Sequence, residues 1–180
     1  MDSSWVDRIR AGDERAFEAM FRHYHERLCQ FAAALVRSPE TAEEIVQDVF
    51  LNIWSSRHEW QVRSGITAYL YGAARNRALN YLAHRRIERA HEQRALREQA
   101  MAPVATPPAD ESLVRRQTAA AVQEAIEQLP ERARLVVTLR WQHQLRHAEI
   151  AEVMGISVKG VENQLSRALD MLRRHLGPDS

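Results

Sequence analysis

Residues 147–169 read HAEIAEVMGISVKGVENQLSRAL, and this stretch decides the fold. Ile150, Ala151 and Met154 fall on one side of a short helix. Gly155 supplies the positive φ that ends it. Ser157 carries a hydroxyl that can cap the next helix. Val158, Val161, Leu165, Ala168, Leu169 and Leu172 then recur at three- and four-residue spacing, which predicts the inward stripe of a second helix. Two helices joined by so tight a turn cross steeply, and the second is free to enter a groove. This is a helix-turn-helix pattern. Lys159, Glu162, Asn163, Gln164, Ser166 and Arg167 fall off the apolar stripe. Asn and Gln pair with adenine, Arg pairs with guanine, and Glu accepts from cytosine N4. Arg173 and Arg174 close the helix, where cations suit both its dipole and a phosphate. The plain alternative is a solvated face of a small bundle. The glycine turn, the small contact at Ala151 and the basic end favour duplex DNA.

Moving towards the N-terminus, residues 96–112 (LREQAMAPVATPPADES) break the helical patterns. Pro103, Pro107 and Pro108 remove backbone donors and disfavour helix before them. The expectation is an all-α chain of two small helical domains, 1–95 and 113–180, with 96–112 as a flexible, Pro-rich linker. Strand-type alternation is absent. The net charge is only +1, so any affinity for DNA must come from local patches or from a partner. Lys159 is the one lysine among 25 basic residues. Cys29 is alone, which excludes an internal disulfide and a thiolate metal cluster. No signal peptide is recognisable and no apolar run reaches the ~20 residues needed to span a bilayer, so the expectation is a cytoplasmic protein with no membrane insertion.

In the N-terminal part, Trp5 to Ala11 is a short helix, and Asp13 can cap a second that runs to about Val36. Its core stripe is Phe17, Met20, Phe21, Tyr24, Leu28, Phe31 and Leu35. Ser38-Pro39-Glu40 is a restart signal of N-cap, first-turn proline and acid. The helix that follows turns Ile45, Val46, Val49, Phe50, Ile53 and Trp54 to one side. Its other face, Glu43, Glu44, Gln47, Asp48, Leu51 and Asn52, is either solvated or a docking face for a basic partner. A long helix, about 67–94, places Asn76, Asn80 and His84 at i, i+4 and i+8. Arg75, Arg77, Arg85, Arg86 and Arg89 surround that line, and Trp60, Tyr69, Tyr71 and Tyr81 lie near it. Arginines, amides and aromatics together suit single-stranded DNA; the arginine and asparagine line favours nucleic acid, and the tyrosines read better as core.

Taken in order, FEAMFRHYHERLCQFAAALVRSPETAEEIVQDVFLNIW, AYLYGAARNRALNYLAHRR, LPERARLVVTLRW and the helix-turn-helix stretch resemble bacterial RNA polymerase sigma factors. The resemblance is to their short extracytoplasmic-function (ECF) group. It covers about 5–95 and 113–176. It implies that Glu44, Gln47, Asp48, Leu51 and Asn52 dock on the clamp helices of the polymerase largest subunit. It implies that Asn76, Arg77, Asn80 and His84, with the loop 57–66, capture −10 bases of the non-template strand. Lys159, Glu162, Asn163, Gln164, Ser166 and Arg167 would read the −35 duplex, with the polymerase flap region as a further contact. It also implies that the linker threads towards the active centre and that an anti-sigma factor binds the chain. No cofactor, metal or catalytic residue is implied. Arg146 departs from the family pattern, because arginine is a poor N-cap.

Two readings compete with this one. A stand-alone helix-turn-helix regulator would use the N-terminal domain as a sensor or dimeriser. An enzyme would need a site, and His23, His25 and Glu26 do not make one: positions two apart on a helix point to different sides.

Overall fold

The computed structural model describes residues 2–62, 65–97 and 124–176, and among these every regular element is helical. The elements are α1 (Asp2–Arg10), α2 (Glu14–Val36), α3 (Pro39–Ser55), α4 (Ile66–Arg97), α5 (Glu131–Val137), a π-helical turn (Thr138–Gln142), α6 (His147–Met154) and α7 (Val158–Leu176).

The helix starts follow local chemistry. Asp13 accepts from the Ala16 N–H at 3.1 Å and Ser38 Oγ accepts from the Thr41 N–H at 3.2 Å. Each satisfies one of the donors a helix leaves free at its start. Pro39 then fills a first-turn position, where its missing N–H costs nothing. α2 ends at Arg37, held in the left-handed region at φ 58°. Helix α6 starts without a side-chain acceptor at Arg146; instead Glu149 reaches back and accepts from the Arg146 N–H at 2.7 Å. Half of a capping box therefore replaces the missing cap.

The N-terminal helices pack as the 3.6-residue pattern requires. Met20, Tyr24, Leu28 and Phe31 of α2 are buried, with Phe17, Phe21 and Leu35 partly so. Ile45, Val46, Val49, Phe50 and Ile53 of α3 face them. Leu70, Tyr71, Ala74 and Ala78 of α4 close the core. α4 runs on to Arg97, two residues into the 96–112 stretch, because neither Leu96 nor Arg97 is a helix breaker. The rest of that linker lies outside the described residues.

Between α6 and α7 the turn is built as the sequence predicts. Gly155 sits at φ 64°, ψ 37°, its N–H donates to Glu152 O, and the Ile156 N–H donates to Ala151 O at 3.0 Å. This is a Schellman closure, with Ile156 folding back on the core. Ser157 Oγ accepts from the Gly160 N–H at 3.0 Å. Val161, Leu165 and Ala168 form the buried stripe of α7, with Met171 and Leu172 partly buried. Val158 and Leu169 are exposed, against expectation. Val158 is in the first turn, beyond the packed part of the helix, and Leu169 lies ~100° around the helix from Ala168. A small cluster of Leu129, Ala133, Val137 and Ala168 fastens α5 to α7.

The main core is not confined to the N-terminal helices. Leu135, Val136, Leu139, Leu145, Ile150 and Val161 belong to the same buried cluster as Met20, Phe31 and Tyr71. α6 packs against α4, so the helix-turn-helix sits on the N-terminal bundle. Replacing Gly155 by Ala forces a Cβ into the left-handed region with no clash elsewhere. The expected cost is about 1 kcal/mol. It should appear in a thermal melt as a loss of about 2–4 °C. An unchanged midpoint would contradict the turn geometry.

Candidate nucleic-acid and polymerase-docking surfaces

Three polar surfaces were expected, and all three lie at least partly open to solvent. On α7, Lys159, Glu162, Asn163, Ser166 and Arg167 are exposed and Gln164 is half-buried. Lys159 Nζ lies 3.2 Å from Glu162 Oε2. The one acid on this face is thus paired with a lysine one turn earlier, which lessens its repulsion of phosphate.

On α3, Glu44, Gln47, Asp48, Leu51 and Asn52 form a continuous exposed face. Leu51 is 63% exposed, the most exposed of the large apolar side chains among the described residues. An open leucine ringed by acids and amides suits a partner with a basic rim and an apolar pocket.

On α4, Asn76, Asn80 and His84 are exposed along one line and Arg77 is half-buried. Arg77 Nη1 donates to Asp48 Oδ2 at 2.8 Å. The α3 and α4 surfaces therefore meet at an ion pair. Its members are 29 positions apart in the sequence, beyond what helical periodicity can reveal. Both side chains face solvent, so the pair is worth at most about 1 kcal/mol and either partner can be given up to a stronger ligand.

The aromatics resolve towards the core. Trp60 and Tyr71 are buried, and Trp60 packs edge-on against Tyr69 at 5.7 Å. Tyr24 Oη lies 2.8 Å from Thr67 Oγ1. Tyr69 and Tyr81 are partly buried against the same core. Trp60 and Tyr71 are thus not stacking platforms. In the loop 57–66, Arg57 stacks over the Trp54 ring at 4.5 Å. Arg63 and Ser64 lie outside the described residues.

His143 was not singled out by its sequence context, yet it joins α2 and α4 to the π-helical turn. The π-helical turn closes with the His143 N–H donating to Thr138 O at 3.2 Å, and Gln144 follows at φ 60°. His143 Nδ1 lies 3.0 Å from Tyr71 Oη, and the Arg27 guanidinium donates to the His143 carbonyl. Phe31 stands edge-on to both rings, at 5.6 Å from His143 and 5.1 Å from Tyr71. Burial, aided by the Arg27 charge, lowers the His143 pKa to about 4. Burial also raises Tyr71 to about 12. Both rings are neutral at pH 7, as an apolar junction requires.

Among the described residues no group of His, Cys, Asp and Glu could hold a metal ion. None of their helices is long and apolar enough to cross a membrane.

This architecture matches known proteins. Residues 20–87 match the sigma-70 region 2 family and residues 119–172 match sigma-70 region 4. The RNA polymerase sigma factor CarQ of Myxococcus xanthus is 30% identical over 174 residues, covering 96% of this chain and 95% of that protein. The chain belongs to the ECF sigma factor family. Another relative of this sigma factor is the ECF sigma factor RpoE of Cereibacter sphaeroides, 28% identical over 97% of this chain and 96% of that one. In fold it is similar to CnrH, solved in complex with the cytosolic domain of CnrY. That likeness has a TM-score of 0.68 at 23% identity, over 99% of both chains. It is also similar to RpoE from Bartonella quintana, solved with the anti-sigma factor NepR, with a TM-score of 0.62 at 22% identity over 91% of this chain and 98% of that one.

In the sigma factor, the region 2 match takes in most of α2, all of α3 and α4 as far as Ile87; the region 4 match includes α5, α6 and α7 as far as Leu172. His143 is therefore a region 4 residue seated on region 2 side chains. Its depressed pKa gives the fold a signed pH dependence. The unfolded imidazole takes a proton near pH 6.5, the buried one near 4. The stability from keeping it neutral is complete above about pH 6.5 and lost as the pH falls to about 4. Urea melts across that range should show the wild-type chain losing more stability than His143→Gln. Parallel slopes would contradict the buried neutral imidazole.

Proposed function

We propose that this sigma factor directs core RNA polymerase to promoters by reading two DNA elements with two halves of one chain. The observation that carries this reading is the exposed α7 face behind a well-formed helix-turn-helix, on a chain that also matches region 2. Lys159, Glu162, Asn163, Gln164, Ser166 and Arg167 read the −35 duplex in the major groove. Asn76, Arg77, Asn80 and His84 capture −10 bases of the opened non-template strand, arginine on phosphate and amides on base edges. Glu44, Gln47, Asp48, Leu51 and Asn52 dock on the clamp helices of the largest subunit, and region 4 meets the flap.

The domains are 1–95 and 113–180, with 96–112 as the linker between them. The work is binding, not turnover. Melting follows from trapping unstacked bases, at a few kcal/mol per base. Modest affinities multiply once both halves are held on the same polymerase. With a net charge of +1, the free chain binds DNA weakly. The setting is the cytoplasm, where polymerase and DNA meet. RpoE from Bartonella quintana, solved with the anti-sigma factor NepR, supports a regulatory partner of that kind for this chain.

The direct test is transcription of a fragmented genomic library by core polymerase from the same host, with and without the chain. New starts sharing two spaced elements are expected. A palindromic site bound by a dimer without polymerase would instead favour a stand-alone regulator. On a promoter so found, Arg167→Ala should weaken use of the −35 element by about 5- to 150-fold, as loss of a bidentate Arg–guanine contact would. Asp48→Ala should weaken core binding by roughly tenfold while leaving the fold intact, since Asp48 is exposed. Normal core binding by Asp48→Ala would overturn the docking face.

A further inference from the structure

Past Ala78 the inward face of α4 changes character. Tyr71, Ala74 and Ala78 lie on the side turned to the core and are buried. At ~100° per residue, positions 82, 85, 86 and 89 continue that same bearing. They read Leu, Arg, Arg and Arg. Opposite them α2 has ended, and the wall is Val36, Arg37 and Ser38. Between the two walls runs a groove of about 550 Å³, which Tyr81 and Leu82 also line. That is the size of a small-molecule site.

The charge in this groove is unbalanced. Arg37, Arg85, Arg86 and Arg89 all line it and are exposed. Among the described residues Arg85 alone of the four has an acid within ion-pair distance, Glu88 at 3.8 Å. Like charges so gathered repel, and an anion between them relieves the repulsion. Arg37 is held at φ 58°, a conformation that glycine would take at less cost. The helix nevertheless closes on an arginine, and its side chain lines the groove. Ser38 Oγ is already committed: it donates to Glu40 Oε2 at 2.9 Å and accepts from the Thr41 N–H. The guanidiniums are therefore the groups that would hold an anion.

The groove is not the −10 surface. Asn76, Asn80 and His84 lie roughly 170° around α4 from it, so a strand held on that line is about 10 Å away, one helix diameter. Guanidinium forks grip phosphate oxygens in pairs. Arg85, Arg86 and Arg89 span ~6 Å of α4, so a short run of phosphates suits them better than one. Tyr81 and Leu82, with Val36 opposite, supply an apolar floor with one aromatic ring, on which a base can lie.

We propose that this groove binds a nucleoside polyphosphate, its phosphates held by Arg37, Arg85, Arg86 and Arg89 and its base laid on Tyr81 and Leu82. Binding there requires neither polymerase nor promoter DNA.

The test is isothermal titration calorimetry of the free full chain at low salt, with ATP, GTP, AMP and inorganic tripolyphosphate as probes. ATP or GTP should bind saturably at one site, and AMP at least about tenfold more weakly. Arg86→Gln and Arg89→Gln should each lower the ATP affinity by about tenfold, since each removes charge-assisted bonds from an exposed position. Arg22→Gln, an exposed arginine elsewhere on α2, should not. Tyr81→Leu, which keeps an apolar side chain against the core, should weaken ATP by about fivefold and leave tripolyphosphate unchanged. No saturable heat with either nucleotide would overturn the proposal. Tripolyphosphate bound as tightly as ATP would overturn it too, by removing the nucleoside from the site. So would a short single-stranded oligonucleotide that displaces ATP more effectively than tripolyphosphate does, which would make the groove a contact for a DNA strand.

Discussion

The imidazole of His143 can be buried only while it is neutral and matched, and the arrangement of the two halves depends on that condition. Tyr71 matches its ring, Arg27 matches its carbonyl, and Phe31 fills the space beside both rings. Around this small polar centre, where Tyr71 Oη, His143 Nδ1 and the His143 carbonyl are all partnered, pack the apolar side chains of α4, α6 and the π-helical turn. A π-helical turn is a costly local structure, found mostly where a residue must be placed that an α-helix would not place. Here it ends on His143 and delivers that side chain to the bundle.

Much of the fold was legible in the sequence because its signals are local. Asp13, Ser38, Ser157 and Gly155 act within a turn of their own positions, and the structure uses each as predicted. The stripes of α2 and α3 follow from periodicity alone. Other features depend on what an element packs against. Val158 and Leu169 satisfy an apolar spacing rule yet meet no partner. Arg146 lacks an acceptor, but Glu149 three residues on supplies one from the other side. Trp60 and Tyr71 fit both a stacking platform and a core until α4 is seen docked.

The candidate surfaces divide in the same way. That the α3, α4 and α7 residues share faces is a matter of helical geometry. That Asp48 meets Arg77 is not, because two helices must first be folded together. His143 left no sequence signal at all. It is a single histidine between Gln142 and Gln144, 116 positions from Arg27. Only the left-handed Gln144 and the extra residue of the π turn, both visible in three dimensions, bring it inward.

These faces present exposed amides, carboxylates and basic groups suited to binding. A sigma factor so built gains its selectivity from where its two readers stand on the polymerase. The most direct measurement is cleavage of promoter DNA by an iron chelate tethered in turn to Ser166→Cys and His84→Cys, in a Cys29→Ser chain on core polymerase. The account predicts two cleavage centres on one promoter, roughly two helical turns or more apart, with the His84 centre on the opened strand. A single centre for both positions, or cleavage that does not require polymerase, would contradict it.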